Sequence, residues 1–292
     1  MGRVAVIGAA ELRRLMDENG LSPSRALGQN FLADPNTAKR IARLAGVGPG
    51  DQVVEIGAGL GSLTLALAAT GARVVAVEID RHLVPVLAEL VGPAGVRVVQ
   101  GDALALDWAS VLATPESEGP EGAAGPCWVL VSNLPYNVAT PLVVRILEEV
   151  PAIFRMLVMV QAEVGERLAA GVGDEAYGAV SVKVAYWATA SVVGRVPPTV
   201  FVPRPRVDSA LVAITRRPYP AVDPLLVSYD RLFEVVRAGF AQRRKMLRGT
   251  LAGVVHPDAF SGAGVEPTAR AEELDVAAWG RIAAWPTRPT TS

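Results

Sequence analysis

The chain has 292 residues, of which 51% are hydrophobic and 20% charged, for a net charge of −1. It is long enough for a main domain plus a smaller one, and too apolar to be a disordered chain. A single cysteine, Cys127, excludes an internal disulfide framework, and two histidines, His82 and His256, leave little for a zinc site, so no metal is expected.

The charge is unevenly spread. Residues 1–203 carry 15 Lys/Arg against 20 Asp/Glu, whereas residues 204–248 carry 10 against 4. An acidic body with one basic stretch suggests a polyanionic partner met at one place. The apolar run Val4-Ala5-Val6-Ile7 is cut short by Glu11, Arg13 and Arg14, so neither a signal peptide nor a membrane span is expected, and the setting is read as cytoplasmic.

In chain order, residues 9–19 read as a short helix, followed by the turn-prone Leu21-Ser22-Pro23-Ser24. Apolar residues at helical spacing (Ala38, Ile41, Ala42, Ala45) predict a second helix over 35–45. Strand and helix then alternate: strands at 52–56, 73–77, 96–100, 128–132 and 156–161, with helices near 63–69, 82–90 and 140–149. Nearly continuous apolar strands in β-α units predict a parallel sheet covered on both faces, a doubly wound α/β domain. Strand-like segments at 180–193 and 209–215 are expected to add to it antiparallel. Residues 114–126, rich in Pro, Gly and Glu, read as a loop without assigned function. From Tyr219 onward the pattern is helical with Gly and Pro breaks, so the expected division is a main domain over 1–217 and a small helical domain over 218–292.

Glu55-Ile56-Gly57-Ala58-Gly59-Leu60-Gly61 ends the first strand of the repeat and opens a helix, where α/β folds bind nucleotides. Gly57 and Gly59 permit close approach of a ligand to the backbone, and Glu78, at the end of the next strand, is placed to grip ribose hydroxyls. Asp102 follows the third strand, where a carboxylate can accept from an adenine amino group. After the fourth comes Asn133-Leu134-Pro135-Tyr136. The Asn133 side-chain oxygen and the Leu134 carbonyl can accept hydrogen bonds from an exocyclic amine, Pro135 fixes φ, and Tyr136 can stack on a flat base. In this order the segments look like an S-adenosylmethionine methyltransferase that acts on a base amine.

The chain resembles the bacterial small-subunit (16S) rRNA adenine N6,N6-dimethyltransferase family from about residue 24 to 250. The segments that carry the likeness are Leu27-Gly28-Gln29-Asn30-Phe31-Leu32, Glu55 to Thr64, Glu78-Ile79-Asp80, Gly101-Asp102-Ala103-Leu104, Asn133 to Asn137 with Thr140-Pro141, Val196-Pro197-Pro198 to Phe201-Val202-Pro203-Arg204-Pro205-Arg206-Val207-Asp208-Ser209-Ala210, and Phe240 to Leu247. The resemblance implies S-adenosylmethionine as cofactor, held by Asn30, Leu32, Gly57, Gly59, Glu78, Asp102 and Asn133. It implies as substrate two adjacent adenines near the 3′ end of small-subunit rRNA, flipped between Tyr136 and Phe201, with Asn133 and Leu134 aligning the amine. Arg204, Arg206, Arg243, Arg244, Lys245 and Arg248 would meet phosphates, the last four from the small helical domain, and a monomer suffices. Gly249 stands where the family often has Asn. The competing readings are a large-subunit rRNA dimethyltransferase of the antibiotic-resistance type, disfavoured by Leu134 and Thr140-Pro141, and an RNA-binding assembly factor with secondary methylation.

Overall fold

The computed structural model describes residues 7–113 and 127–285; the loop expected at 114–126 lies outside them. Two compact units form, one from residues 1–165 with 192–215 and the other from 166–191 with 216–292.

In the first unit, α1 (Ala9–Glu18), β1 (Phe31–Leu32) and α2 (Pro35–Ala45) lead into β2 (Gln52–Ile56), α3 (Ser62–Ala68), β3 (Arg73–Glu78), α4 (Val84–Val91), β4 (Arg97–Gln100), α5 (Trp108–Leu112), β5 (Trp128–Asn133), α6 (Ala139–Glu149) and β6 (Ile153–Gln161). The chain continues through α7 (Ala162–Ala169), α8 (Ala179–Trp187), β7 (Ala188–Val196), β8 (Phe201–Val202) and β9 (Ser209–Arg216). The helix boundaries have local causes. Asp34 caps α2 by accepting from the Thr37 N–H at 2.8 Å, Pro35 supplies its first turn without losing a bond, and Gly46 ends it in the left-handed conformation.

The main sheet has the order β4-β3-β2-β5-β6-β9-β7. Strands β4 to β6 run parallel, and β9 pairs antiparallel to β6. The interiors of β2, β3 and β5 are buried on both faces, as a sheet covered by helices requires. Strand order reverses between β2 and β5. A crevice therefore opens beyond their carboxyl ends, where Gly57 and Asn133 stand. Separately, β1 and β8 form a short antiparallel ladder with Phe31 opposite Val202 and Leu32 opposite Phe201.

Two expectations are corrected. Residues 180–187 are helical (α8), and the strand begins only at Ala188. The alternating valines suggested a strand by β-propensity, but Val182 and Tyr186, one helical turn apart, both enter the hydrophobic cluster of the second unit. Ser181 helps start the helix: its hydroxyl accepts from the Gly178 N–H and donates to the Arg167 carbonyl. The domain division shifts for the same reason. Residues 166–191 join the second unit, where Tyr177 donates its hydroxyl to the Leu274 carbonyl at 2.8 Å.

That second unit also contains α9 (Tyr229–Phe240), α10 (Leu247–Thr250), α11 (Asp258–Ala263) and α12 (Val276–Ala283). Phe233, Val236, Leu247, Trp279 and Ile282 form its core with Tyr177, Val182 and Tyr186. Ser228 caps α9 and Asp275 caps α12, each accepting from a first-turn N–H. Gly239 lets α12 approach α9: a Cβ there would lie 2.3 Å from the Trp279 ring.

Candidate active site

The site lies in the first unit, at the carboxyl ends of β2, β3 and β5. One cavity is lined by residues 27–32, the turn after β2, Glu78, Ile79 and residues 133–136. A second, sharing Leu27, Gly57, Ile79 and Pro135 with it, extends along Gly101-Asp102-Ala103-Leu104 and the start of α6. Asn30, Leu32, Gly57, Gly59, Glu78, Asn133, Leu134 and Tyr136 thus meet at the first cavity, and Asp102 at the second.

The turn after β2 needs its glycines. Gly57 and Gly59 have φ of 73° and 58°, the left-handed region open to glycine. A Cβ on Gly59 would lie 2.9 Å from the Phe31 ring, and one on Gly57 would meet Pro135 at 3.4 Å. The Gly57 N–H donates to the Val77 carbonyl at 2.8 Å, which joins this turn to the end of β3.

Glu78 is buried there, and its two oxygens accept from the Gly59 N–H at 2.8 Å and the Asp80 N–H at 2.9 Å. Burial raises its pKa; those backbone N–H groups oppose the shift, and the neighbouring Asp80 charge adds to it. The carboxylate keeps acceptor capacity beyond these backbone donors. Gln29 donates to the other side of Asp80 at 2.9 Å and accepts from the Ser24 N–H at 2.7 Å, so it ties the loop over 24–30 to the end of β3. Asp102 is exposed, with one oxygen accepting from the Leu104 N–H at 2.9 Å; the Arg145 guanidinium donates to the Leu104 carbonyl and holds the same turn.

Asn133 ends β5, where its backbone is paired with Met159 of β6. Its Nδ2 donates to the Asn30 carbonyl at 3.0 Å, which leaves Oδ1 as the end available to a ligand. The Leu134 N–H donates to the Met159 carbonyl at 3.0 Å, anchoring the turn. The half-buried Tyr136 shares a 2.9 Å hydrogen bond between its hydroxyl and that of Ser209. Burial raises the Tyr136 pKa, partly opposed by Ser209.

Some expected residues stand elsewhere. Phe201 lines neither cavity; it is 3% exposed and packs in the main core, supporting the wall through its pairing with Leu32. Arg204 and Arg206 are exposed after β8 in the first unit, whereas Arg243, Arg244, Lys245 and Arg248 lie between α9 and the end of α10 in the second. Arg243 is paired with Glu272 at 2.6 Å, so its charge is partly neutralised; Arg244, Lys245 and Arg248 are exposed.

Sequence reasoning passed over Glu55, Gln29 and Ser209. Glu55 is wholly buried at the first cavity with one oxygen lacking a hydrogen-bond partner, and burial pushes its carboxyl up to about 8, a shift the Thr64 hydroxyl opposes and the Glu78 charge increases. A carboxyl in the middle of an apolar strand was the signal that could have singled it out. The residues present suit a cofactor with an adenosine end and a cationic end: a buried carboxylate between backbone donors, a second carboxylate at the adjoining cavity, a glycine cradle and an unsatisfied buried acid.

Among the described residues, no helix is long and apolar enough to cross a membrane, and no group of three or more His, Cys, Asp or Glu could hold a metal ion. The family model for ribosomal RNA adenine dimethylase matches residues 21–287. The ribosomal RNA small subunit methyltransferase A of Kineococcus radiotolerans is 46% identical over 286 residues, covering 96% of this chain and 91% of that protein. Its counterpart of the same name from Thermobifida fusca is 47% identical over 285 residues, covering 94% of each. Among solved structures, the 23S rRNA methyltransferase ErmE matches with a TM-score of 0.66 at 26% identity, over 87% of this chain and 98% of that one. A dimethyladenosine transferase from Plasmodium falciparum matches with a TM-score of 0.70 at 22% identity, over 86% of this chain and 95% of that one, a likeness of fold.

Proposed function

This chain belongs to the ribosomal RNA adenine dimethylase family, and on that footing we propose that it dimethylates N6 of two adjacent adenines in the 3′-terminal hairpin of small-subunit rRNA during ribosome assembly. The reading draws its substrate from the small-subunit methyltransferases that it resembles at 46–47% identity. It acts in the cytoplasm as a monomer.

S-adenosylmethionine, when bound, supplies a methyl group on a sulfonium centre. Glu78 would accept from its ribose hydroxyls and Asp102 from its adenine amino group, with Asn30, Leu32, Gly57 and Gly59 as the walls that would hold it. The target adenine leaves its stack and lies against Tyr136. Its amine is a poor nucleophile because the lone pair is delocalised into the ring. Asn133 Oδ1 and the Leu134 carbonyl accept from its two N–H groups, favour it as positive charge develops, and aim the nitrogen in line. The proton leaves to water afterwards, since Glu78 and Asp102 are committed to the cofactor and burial keeps Glu55 protonated. Arg204, Arg206, Arg244, Lys245 and Arg248 bind phosphates, with Arg243 contributing less because of Glu272.

The observation that carries this reading is the Asn133 amide fixed by its donor end to Asn30. It presents an acceptor three residues before the ring of Tyr136, which the Leu134-Pro135 turn delivers, at a cavity that also holds Glu78. The test is methyl transfer from labelled S-adenosylmethionine to unmethylated small ribosomal subunits, with large subunits as control and the labelled nucleosides identified. N6,N6-dimethyladenosine on small subunits alone is expected. Label on large subunits would favour the resistance-type activity, and subunit binding without transfer would favour an assembly factor.

A further inference from the structure

We propose that Ser209 is a positioning residue for the second methyl transfer: its hydroxyl fixes the far end of the Tyr136 ring against which the target base lies. The inference rests on the function proposed above and assigns a role to a residue outside the cofactor and base-contacting set.

The strand register explains why Ser209 can do this. Asn133 is the last residue of β5, and its row across the sheet continues through Met159 to Leu211. Strands β6 and β9 run on for two more rows, Val160 opposite Ala210 and Gln161 opposite Ser209. The turn 134–136 leaves β5 beside this overhang, and Tyr136 meets Ser209 at its last row, 2.9 Å between hydroxyls. Ser209 is 0% exposed, so its hydroxyl is held by a strand in the core. The phenolic oxygen lies on the long axis of the ring. Anchoring it fixes the direction of that axis, and cutting the bond leaves a half-buried polar atom unpaired and the ring free to swing.

The second transfer depends on this more than the first. An unmodified adenine amine offers two N–H groups, one each for Asn133 Oδ1 and the Leu134 carbonyl. After one methylation only one N–H remains, so half of the hydrogen-bond alignment is gone and the base plane must be held by the ring. A loosened ring therefore slows the second step selectively, and a merely structural defect would slow both alike.

Ser209→Ala, Tyr136→Phe and the double variant would be compared on unmethylated small subunits, measuring kcat, KM, cofactor affinity, thermal midpoint and the ratio of N6-methyl- to N6,N6-dimethyladenosine. Each single variant should lower the rate of the second transfer about five- to tenfold. Monomethyl product should accumulate, cofactor affinity should stay within about twofold, and the double variant should be no worse than the weaker single. Ser209→Ala with unchanged kcat and product ratio would overturn the assignment, as would effects that multiply in the double variant. If Ser209→Ala does not fold, Tyr136→Phe decides alone, since it removes one oxygen and little packing: wild-type behaviour overturns the proposal. Wild-type enzyme that leaves small subunits unmethylated overturns both this role and the parent function, whereas an active wild type with indifferent variants overturns only this role.

Discussion

Asn30 and Asn133, 103 positions apart, are joined by a single hydrogen bond of 3.0 Å from the Asn133 side chain to the Asn30 backbone. The bond fixes which end of the Asn133 amide faces the cavity, because a carbonyl can only be met by the NH2 end. One wall of the cavity thereby orients the amide proposed to receive the substrate amine.

Asn133→Ala should lower kcat by about 10²–10³, the loss typical of removing one preorganised polar group at a transition state, while cofactor affinity falls much less. Asn133→Asp should do no better, since its carboxylate would face the Asn30 carbonyl with no proton between them. Single-turnover rates beside calorimetric cofactor titration check this, and an unimpaired Asn133→Ala would remove the residue from the chemistry.

Glu55 makes stability depend on pH. Its folded pKa of about 8 lies above the ordinary 4.5, so the folded state holds a proton that the unfolded state has released. The stability contributed by this group is fully present below about 4.5 and is lost as pH rises to about 8. Glu55→Gln, neutral at every pH, should flatten the decline of the thermal midpoint of the unliganded protein across that window. Equal slopes for variant and wild type would show that Glu55 ionises freely in the fold.

Arg244→Ala with Lys245→Ala should weaken RNA binding and reduce the slope of log affinity against log salt by about 1.4–1.8, for two lost phosphate contacts. Arg243→Ala should change the slope less, because Glu272 already offsets its charge. Filter-binding titrations at several salt concentrations distinguish the two, and identical slopes for all variants would mark the cluster as a solvated surface.

Gly239→Ala should destabilise the second unit by about 1–3 kcal/mol through overpacking, as its Cβ would overlap the Trp279 ring at 2.3 Å. Denaturant unfolding would report the loss. A variant as stable as wild type would mean that α9 and α12 can move apart without cost.

The parallel half of the sheet was legible because strands buried on both faces have a continuous apolar pattern and their ends carry glycine or acid. Helix α8 was not, because Val182 and Val184 favour strands locally and only the distant Phe233 and Trp279 give Val182 and Tyr186 a helical surface to fill. Within the site, Gly57, Glu78 and Asn133 could be placed from their positions at strand ends. Asn30 and Leu32 needed the family resemblance, since a loop brought over the cavity by Gln29 leaves no periodic signature. Ser209 and the burial of Phe201 depend on where β9 and β8 pair, which no local pattern in the sequence specifies.

The bonds that shape the site span long stretches of chain: 51 residues from Gln29 to Asp80, 73 from Tyr136 to Ser209 and 103 from Asn30 to Asn133. Each such contact carries a loop-closure cost that sheet pairs of comparable separation, such as Gln52 with Trp128, help to meet. A chain folded only as far as α6 already contains Asn133, Leu134 and Tyr136, yet lacks Ser209 of β9, the hydrogen-bond partner of Tyr136. On the proposed mechanism, catalytic competence therefore needs strands far apart in the chain, and it reports that β9 has joined the sheet.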